Sequence, residues 1–262
     1  MNLNLAHQRA IVCGSTQGIG RACAMELASL GASITLIARN EDKLRAVQAE
    51  LSQAEGQDHH YVCADFQQPD YLKAKIQEYV SNVSQVDILV NNTGGPPAGP
   101  ALEADPEAFR RAFEMHVVGN QLLVQAVVPL MQQKQYGRII NIISTSVKEP
   151  IPGLGVSNTI RGAVANWAKT LSGELGPHGI TVNNILPGST DTDRIWDLVS
   201  KRARQQGKSE AEVEAAMKAA VPARRFAEPA EIAYAVAFLA SPSAAYISGV
   251  NLPVDGGKLG CG

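Results

Sequence analysis

Short apolar segments alternate with longer amphipathic segments along this chain. The apolar segments lie at residues 9–13, 33–38, 59–64, 87–91, 137–143, 181–186 and 251–254. Residues 139–143 are rich in isoleucine and do not alternate with polar residues, which is typical of a strand buried on both faces of a sheet. Strands separated by helices indicate βαβ units and a parallel sheet. The pattern therefore predicts an α/β fold.

Several predicted helices have recognisable N-termini. Asn40 precedes two acidic residues, which favour the first turn of a helix. Asp105 provides an N-cap before a proline at the first helical position. Ser209 and Glu212 match a capping box. Long helices are predicted over 107–133 and 156–175, and small or apolar residues on them can serve either a buried core or contacts between subunits.

Residues 189–227 interrupt the alternation of strands and helices. This segment is polar and charged, with helical patterns over 193–204 and 209–220. A long excursion at the carboxyl end of a strand often covers a ligand, so we expect a lid here. Its basic residues are expected to form a solvated face; they are Lys201, Arg202, Arg204 and Lys208. No repeat or linker divides the chain, and we expect one domain over 1–262.

Composition excludes several classes of protein. The 262 residues are 45% hydrophobic and 18% charged, with a formal net charge of −2, so neither nucleic-acid nor membrane binding is expected. The sequence has no run of 18 apolar residues and no apolar leader, which indicates a cytoplasmic protein. The four cysteines lack metal-site spacing, so we expect reduced thiols and no metal site; they are Cys13, Cys23, Cys63 and Cys261.

The first predicted strand leads directly into the glycine-containing loop 14–20 and then into a helix. A tight strand-to-helix turn directs free backbone N–H groups and the positive end of a helix dipole at one place, which suits a pyrophosphate. Glycine is needed where a side chain would block the turn or the approach of the phosphate. The loop therefore predicts a dinucleotide site.

Five blocks together resemble the short-chain dehydrogenase/reductase family, in family order and over nearly the whole chain. They are the Gly-x-x-x-Gly-x-Gly loop, residues 87–94 (DILVNNTG), Ser144 at a strand end, residues 187–192 (PGSTDT) and residues 254–257 (VDGG). The overall pattern is most similar to the β-ketoacyl-carrier-protein-reductase-like branch. The resemblance implies a doubly wound Rossmann fold with a seven-stranded parallel sheet in the order 3-2-1-4-5-6-7 and helices on both faces.

The resemblance also implies a nicotinamide cofactor, a small-molecule carbonyl or alcohol substrate and a homodimer or homotetramer. Ala38 stands where an acidic residue would bind the ribose 2′-hydroxyl of NAD, and Arg39 follows, which favours NADP(H) over NAD(H). A solvated surface charge is the alternative interpretation of Arg39. The other implied cofactor-binding residues are Gly14, Ser15, Thr16, Gln17, Gly18, Ile19, Gly20, Asp65, Phe66, Asn91, Thr93, Gly94, Arg161, Pro187, Gly188, Thr190 and Thr192.

The family's catalytic tetrad is altered in this chain. Ser144 is retained, whereas the tyrosine position is Ser157, the lysine position is Arg161 and the asparagine position is His116. No tyrosine occurs between residues 136 and 234, so no shift in alignment restores the pair. A Tyr-x-x-x-Lys sequence at 71–75 lies in a predicted surface helix after the third strand and is not a substitute.

These replacements leave the source of the catalytic proton open. The aliphatic hydroxyl of Ser157 is much less acidic than a phenol and reaches less far, so it is a poor general acid, while Arg161 can still hydrogen-bond ribose hydroxyls. The imidazole of His116 titrates near neutrality and could act as an acid, or it could simply form the structural hydrogen bonds of asparagine. Lys148, Asp193 and Arg194 could face a substrate, although each is expected to be a loop or lid charge.

Three functions are compatible with these features. The first is an NADP(H)-dependent oxidoreductase in which solvent, His116 or a substrate group replaces the tyrosine. The second is a catalytically silent dinucleotide-binding protein that acts as a sensor or scaffold. The third is hydration or isomerisation on the same scaffold, because a fold alone does not determine the chemistry.

Overall fold

The computed structural model describes residues 1–260, and its centre is one parallel sheet. The sheet has seven strands in the order β3-β2-β1-β4-β5-β6-β7, as predicted. The strands are β1 (Arg9–Cys13), β2 (Ser33–Ala38), β3 (His60–Cys63), β4 (Ile88–Asn91), β5 (Gly137–Ile142), β6 (Ile180–Pro187) and β7 (Asn251–Val254).

Helices cover both faces of the sheet, which buries the apolar strands from two sides. The helices are α1 (Gly18–Ser29), α2 (Glu41–Glu50), α3 (Pro69–Ser81), α4 (Pro106–Phe113), α5 (Gly119–Lys134), α6 (Gly155–Leu175), α7 (Asp193–Gln206), α8 (Glu210–Ala219) and α9 (Pro229–Ala240). One core cluster joins the sheet to α1, α2 and α9, and a second joins it to α3, α5 and α6.

The predicted helix starts are confirmed by side-chain caps. The Asn40 side chain accepts a hydrogen bond from the Lys43 amide at 2.9 Å. Asp105 accepts from the Glu107 amide at 2.9 Å, with Pro106 at the first helical position. Ser209 and Glu212 form the reciprocal bonds of a capping box at the start of α8.

The prediction of one continuous helix over 107–133 is wrong. The chain forms α4 and α5 separated by a π-helical turn, Glu114–Val118, in which the Gly119 amide donates to the Glu114 carbonyl. Such a turn accommodates one extra residue and shifts the face that the following helix presents. Its fully buried member is His116, which the turn directs into the protein.

The strand order reverses between β1 and β4, which are hydrogen-bonded neighbours. Connections from these two strands leave in opposite directions, so a crevice opens beyond their carboxyl ends. The loop from β1 to α1 and the loop after β4 form its walls. This topology determines where a ligand site lies.

Candidate functional site

A cleft of about 870 Å³ occupies the carboxyl edge of the sheet. Its walls come from the 14–20 loop, the ends of β2, β4, β5 and β6, the start of α6, and residues 189–227. Seventeen of the residues predicted for the site line this cleft: Gly14, Thr16, Gln17, Gly18, Ile19, Arg39, Asp65, Phe66, Thr93, Gly94, Ser144, Ser157, Arg161, Pro187, Gly188, Thr190 and Thr192.

The glycine loop has the shape and the free donors that a pyrophosphate requires. Gly14 has φ +58°, and a Cβ there would lie 2.6 Å from the Asn92 carbonyl oxygen. A Cβ on Gly20 would overlap the Gly14 carbonyl, so α1 packs closely against β1. Gln17 at the N-cap makes no side-chain cap, which leaves first-turn amides available to an anion. The residues present therefore fit a dinucleotide.

Four predicted residues do not line the cleft. The Ser15 hydroxyl donates to the Ile37 carbonyl at 3.4 Å, and Gly20 packs against the loop. The Asn91 amide donates to Asn141 on the next strand at 2.9 Å, which keeps it within the sheet. The next residue, Asn92, lines the cleft instead, with its amide 3.2 Å from the Cys13 carbonyl. His116 is the fourth.

Ser144, Ser157 and Arg161 meet at one end of the cleft. The Ser144 oxygen accepts from the Ser146 amide at 3.0 Å and caps a short 3₁₀ turn after β5. Ser157 and Arg161 lie one turn apart on α6, so their side chains share a helix face. Ser157 is 9% exposed, and its side-chain hydroxyl forms no hydrogen bond with any group of residues 1–260.

Arg161 is held by backbone oxygens. Its Nη1 donates to the Ile142 carbonyl at 3.1 Å and its Nη2 donates to the Thr93 carbonyl at 3.5 Å. Burial, with a smaller contribution from the positive charge of Arg194, lowers the pKa of Arg161 to about 10. The side chain is still protonated at neutral pH, so it places a positive charge beside Ser157.

His116 lies behind this end of the cleft. Its Nδ1 is 2.5 Å from the Thr93 hydroxyl, and its Nε2 has no hydrogen-bond partner within residues 1–260. Burial, with a smaller contribution from Arg161, lowers the pKa of His116 to about 2. The ring is therefore neutral near pH 7, and its position supports a structural role rather than that of the proton donor.

Helix α7 contributes residues to the cleft, of which Arg202 was expected to be solvated and Arg194 to be a lid charge. Arg194, Leu198 and Arg202 all line the cleft. They recur every four residues beside the buried stripe of Ile195 and Val199. This four-residue spacing could have revealed them from the sequence. Residues beside the buried stripe of an amphipathic helix lie close to the surface on which the helix packs, which here is the wall of the cleft.

Arg194 also connects α7 to the loop after β4. Its Nη2 donates to the Pro96 carbonyl at 2.7 Å, and its guanidinium lies over Gly95. Gln17 donates to the Asp193 carboxylate at 3.1 Å, which joins the same helix to the glycine loop. The Tyr-x-x-x-Lys sequence of α3 does not line the cleft: Tyr71 is exposed and Lys75 pairs with a neighbouring glutamate.

The fold and cleft define a dinucleotide-binding protein of the Rossmann class. The family described as Enoyl-(Acyl carrier protein) reductase matches residues 14–258. The NADPH-dependent reductase BacG of Bacillus subtilis is 30% identical over 97% of this chain and 99% of the relative. The 7alpha-hydroxysteroid dehydrogenase of Escherichia coli is 34% identical over 98% of this chain and 96% of the relative. The chain belongs to the short-chain dehydrogenase/reductase family.

Solved structures agree with this assignment. The NADPH-dependent reductase YwfH, involved in bacilysin biosynthesis, has a TM-score of 0.91 and 29% identity, covering 97% of this chain and 98% of that one. The L-sorbose reductase of Gluconobacter frateurii, complexed with NADPH and L-sorbose, has a TM-score of 0.92 and 30% identity over 99% of both chains. The protein is thus an NAD(P)-dependent oxidoreductase of this family.

Two further observations concern the rest of the chain. Cys13 and Cys23 are buried and free, Cys63 is partly buried and free, and Cys261 lies outside the described residues. Within residues 1–260, none of the helices combines the length and the apolar character needed to cross a bilayer.

Proposed function

We propose that this protein uses NADPH to reduce the carbonyl group of a small molecule, with solvent as the source of the proton and Ser157 relaying it to the substrate in place of a tyrosine. The observation that carries the proposal is the arrangement of one continuous cleft. Arg39 lies at one end, the glycine loop lies between, and Ser144, Ser157 and Arg161 lie together at the other end. A dinucleotide-binding protein without catalytic activity would not require the hydroxyls of Ser144 and Ser157 at that end.

Arg39 supports NADP(H) as the cofactor. Its side chain is exposed and lines the cleft, and the preceding residue is Ala38, so no carboxylate at the end of β2 competes with a 2′-phosphate. Arginine is well suited to phosphate because its planar donors bind two oxygens at once. The relatives BacG, YwfH and L-sorbose reductase are described with NADPH, which agrees with this choice.

The proton transfer uses groups of this chain. A bound reduced nicotinamide supplies the hydride to the carbonyl carbon. The Ser144 hydroxyl donates to the substrate oxygen, and the charge of Arg161 stabilises the negative charge that develops there. The Ser157 hydroxyl gives its proton to that oxygen and regains one from solvent. This transfer is nearly balanced because the product alcohol and serine have similar acidities.

Residues 189–227 are proposed to act as a lid over the bound ligands. Gln17 and Asp193 connect this segment to the glycine loop, while a bridge between Thr190 and Ala227 closes its base. Lids of this kind exclude water and complete a site when ligands bind. The homodimeric or homotetrameric state and the cytoplasmic location stay predictions of the sequence.

Cofactor titration followed by substrate screening tests the function. NADPH and NADH are titrated by fluorescence, and NADPH oxidation is then followed with ketones, aldehydes and sugars. We expect tighter binding of NADPH and oxidation with at least one carbonyl class. Tight binding without turnover across the whole panel would support the sensor function instead, and failure of both nucleotides to bind would exclude both functions.

Two variants test the proton relay. Ser157→Ala is expected to lower kcat about 10- to 100-fold, because general acid catalysis is removed while NADPH affinity is retained. The double change Ser157→Tyr with Arg161→Lys is expected to raise kcat. Thr159→Ala, on the exposed face of the same helix, is the matched control. An unchanged kcat in Ser157→Ala would show that the proton comes from elsewhere.

A further inference from the structure

We propose that the substrate carries an oxyanion, a carboxylate or a phosphate, which binds between Arg194 and Arg161 at the Ser144 end of the cleft. This inference rests on the proposed function only for the statement that the anion belongs to a carbonyl substrate. It assigns a substrate class to the site and a binding role to Arg194, a residue of the 189–227 segment.

Arg161 provides the first observation. Its side chain is 8% exposed, and its two hydrogen bonds go to the neutral carbonyls of Ile142 and Thr93. Within residues 1–260 it forms no salt bridge. A buried charge without a counter-ion is costly, and an anion in the adjoining cleft would offset that cost.

Arg194 provides the second observation. Burial lowers its pKa, and its own charge lowers the pKa of Arg161, so the two guanidiniums repel each other across a shared region of the cleft. Arg194 donates only to the Pro96 carbonyl, which leaves other N–H groups of its planar fork free. The negative charge of the exposed Asp197 raises the pKa of Arg194, but no hydrogen bond joins the two side chains.

The carboxylates that line the cleft are engaged elsewhere. Asp191 accepts from the Trp196 indole at 2.7 Å, and Asp193 accepts from Gln17 at 3.1 Å. Asp65 accepts from the Gln67 amide at 3.0 Å, on the Arg39 side of the cleft. None of them forms a hydrogen bond or an ion pair with Arg161 or Arg194, so within residues 1–260 no carboxylate is paired directly with either arginine.

There is room beside the two arginines for the rest of such a substrate. A second cavity of about 380 Å³ adjoins the cleft and shares Leu154, Leu198 and Arg202 with it. Arg202 is half-buried, and its guanidinium forms no hydrogen bond or ion pair with residues 1–260. The organic part of the substrate can therefore extend over apolar side chains while its anionic group remains near Arg194.

Calorimetry with the oxidised cofactor tests this inference without turnover. The protein is saturated with NADP⁺, so that cofactor phosphates already occupy their own sites. The probes are 2-oxobutanoate, 2-oxohexanoate and levulinate with their methyl esters, and dihydroxyacetone phosphate with dihydroxyacetone. We expect at least one anionic probe to bind about tenfold or more tightly than its neutral partner. Whether the acids or the phosphate show this preference identifies the oxyanion.

Variants of Arg194 test whether this side chain causes the preference for the anionic probe. Arg194→Gln is expected to weaken the anionic probe about 10- to 100-fold with little change for the neutral partner, and Arg194→Lys is expected to restore part of the loss. Arg204→Gln, an exposed arginine of the same helix that bonds only to the Ser200 carbonyl, should change neither affinity. Thermal unfolding of each variant shows that the fold is intact.

The outcomes separate the inference from the proposed function. Equal binding of charged and neutral probes, no binding of any probe, or a preference retained in Arg194→Gln would overturn the oxyanion site. Reduction of neutral ketones without such a preference would leave the reductase function in place. Conversely, Arg194-dependent anion binding with no NADPH oxidation by any carbonyl would support the site and contradict the reductase function.

Discussion

At the scale of single residues, we propose that the Arg39 side chain determines the preference for NADPH over NADH. It is exposed at the end of β2 and makes no ion pair with residues 1–260, so its charge is available to a 2′-phosphate. We predict that Arg39→Gln weakens NADPH binding about 10- to 100-fold, the amount typical of hydrogen bonds to a charged group. NADH binding should change little, because NADH has no 2′-phosphate. Fluorescence titration of both nucleotides measures the difference.

Lys43→Gln is the control for this prediction. Lys43 is an exposed cation on α2, only four residues from Arg39, and it does not line the cleft. Its replacement removes the same charge from the same region, so a general electrostatic effect would weaken NADPH in both variants. Equal losses for NADPH and NADH in Arg39→Gln would contradict a role in 2′-phosphate recognition.

His116 links the site to acid stability. Its folded-state pKa is lowered from 6.5 to about 2 by burial and by Arg161. Below pH 6.5 the unfolded chain takes up a proton that the folded protein excludes, so the free energy of unfolding falls as pH decreases toward 2. For one group the slope is at most about 1.4 kcal/mol for each pH unit. Above pH 6.5 this contribution is constant.

We predict that His116→Asn makes the free energy of unfolding less dependent on pH between 6 and 4 than in the original protein. Urea unfolding at several pH values measures this slope, whatever the variant's stability at pH 7. His7→Asn, which replaces an exposed histidine, should leave the slope unchanged. Parallel pH profiles for the original protein and His116→Asn would show that His116 is not the group responsible.

At the scale of elements, a row of asparagines connects four neighbouring strands of the sheet. Asn91 donates to Asn141 at 2.9 Å, Asn141 donates to Asn184 at 2.9 Å, and Asn184 donates to Asn251 at 2.8 Å. The register places each pair directly opposite one another. These amides form a continuous row of hydrogen bonds inside the sheet, just below the strand ends that form the cleft, and Asn91 Oδ1 at the end of the row has no partner within residues 1–260.

Removing the fully buried Asn141 is predicted to destabilise the protein strongly. Asn141→Ala leaves a donor of Asn91 and an acceptor of Asn184 without partners, which costs roughly 2–5 kcal/mol of the free energy of unfolding. Urea unfolding should show a lower midpoint with an unchanged m-value. Asn166→Ala, on an exposed turn of α6, is the control. A loss below about 1 kcal/mol would show that water replaces the missing amide.

The sequence identifies elements better than it identifies their faces. Apolar runs such as that of β5 determine the strands within one residue at each end, because burial on both faces leaves little freedom in their composition. The π-helical turn between α4 and α5 was missed, since its sequence is that of an ordinary helix. Asn91 was assigned to the cofactor from the family resemblance, and the strand register places it within the sheet, opposite Asn141.

For the candidate site too, positions within motifs were predicted better than the surfaces on which helices pack. Ser144, Ser157 and Arg161 were found from motif positions, and the fold brings them to one end of the cleft. Arg202 was expected to be solvated and Arg194 to be a lid charge, because a charged helix is usually exposed and its packing partner lies far away in sequence. The loop after β4, nearly a hundred residues earlier, supplies that partner through the Pro96 carbonyl.

At the scale of the whole molecule, we expect cofactor binding to stabilise the 189–227 segment, which is proposed to act as a lid. Within residues 1–260, three side-chain hydrogen bonds join α7 to residues outside the segment: Gln17 with Asp193, Arg194 with Pro96, and Lys201 with Ala98. One of these contacts lies on the glycine loop, where the pyrophosphate is expected to bind. Elements with few buried contacts open at lower free energy than the core, so ordering the loop should favour the closed segment.

We predict that trypsin first cleaves the segment near Arg204 and Lys208, which are exposed, and that saturating NADPH slows this cleavage several-fold. At 100 times its Kd, NADPH also adds about 2.7 kcal/mol to the free energy of unfolding, because it binds only the folded chain. Mass spectrometry of the first fragments and thermal unfolding measure both effects. Asp193→Asn should keep the thermal stabilisation but lose part of the protection, since it weakens the connection between loop and lid without changing the glycine loop. Equal protection at all cleavage sites would instead indicate that NADPH stabilises the molecule only globally.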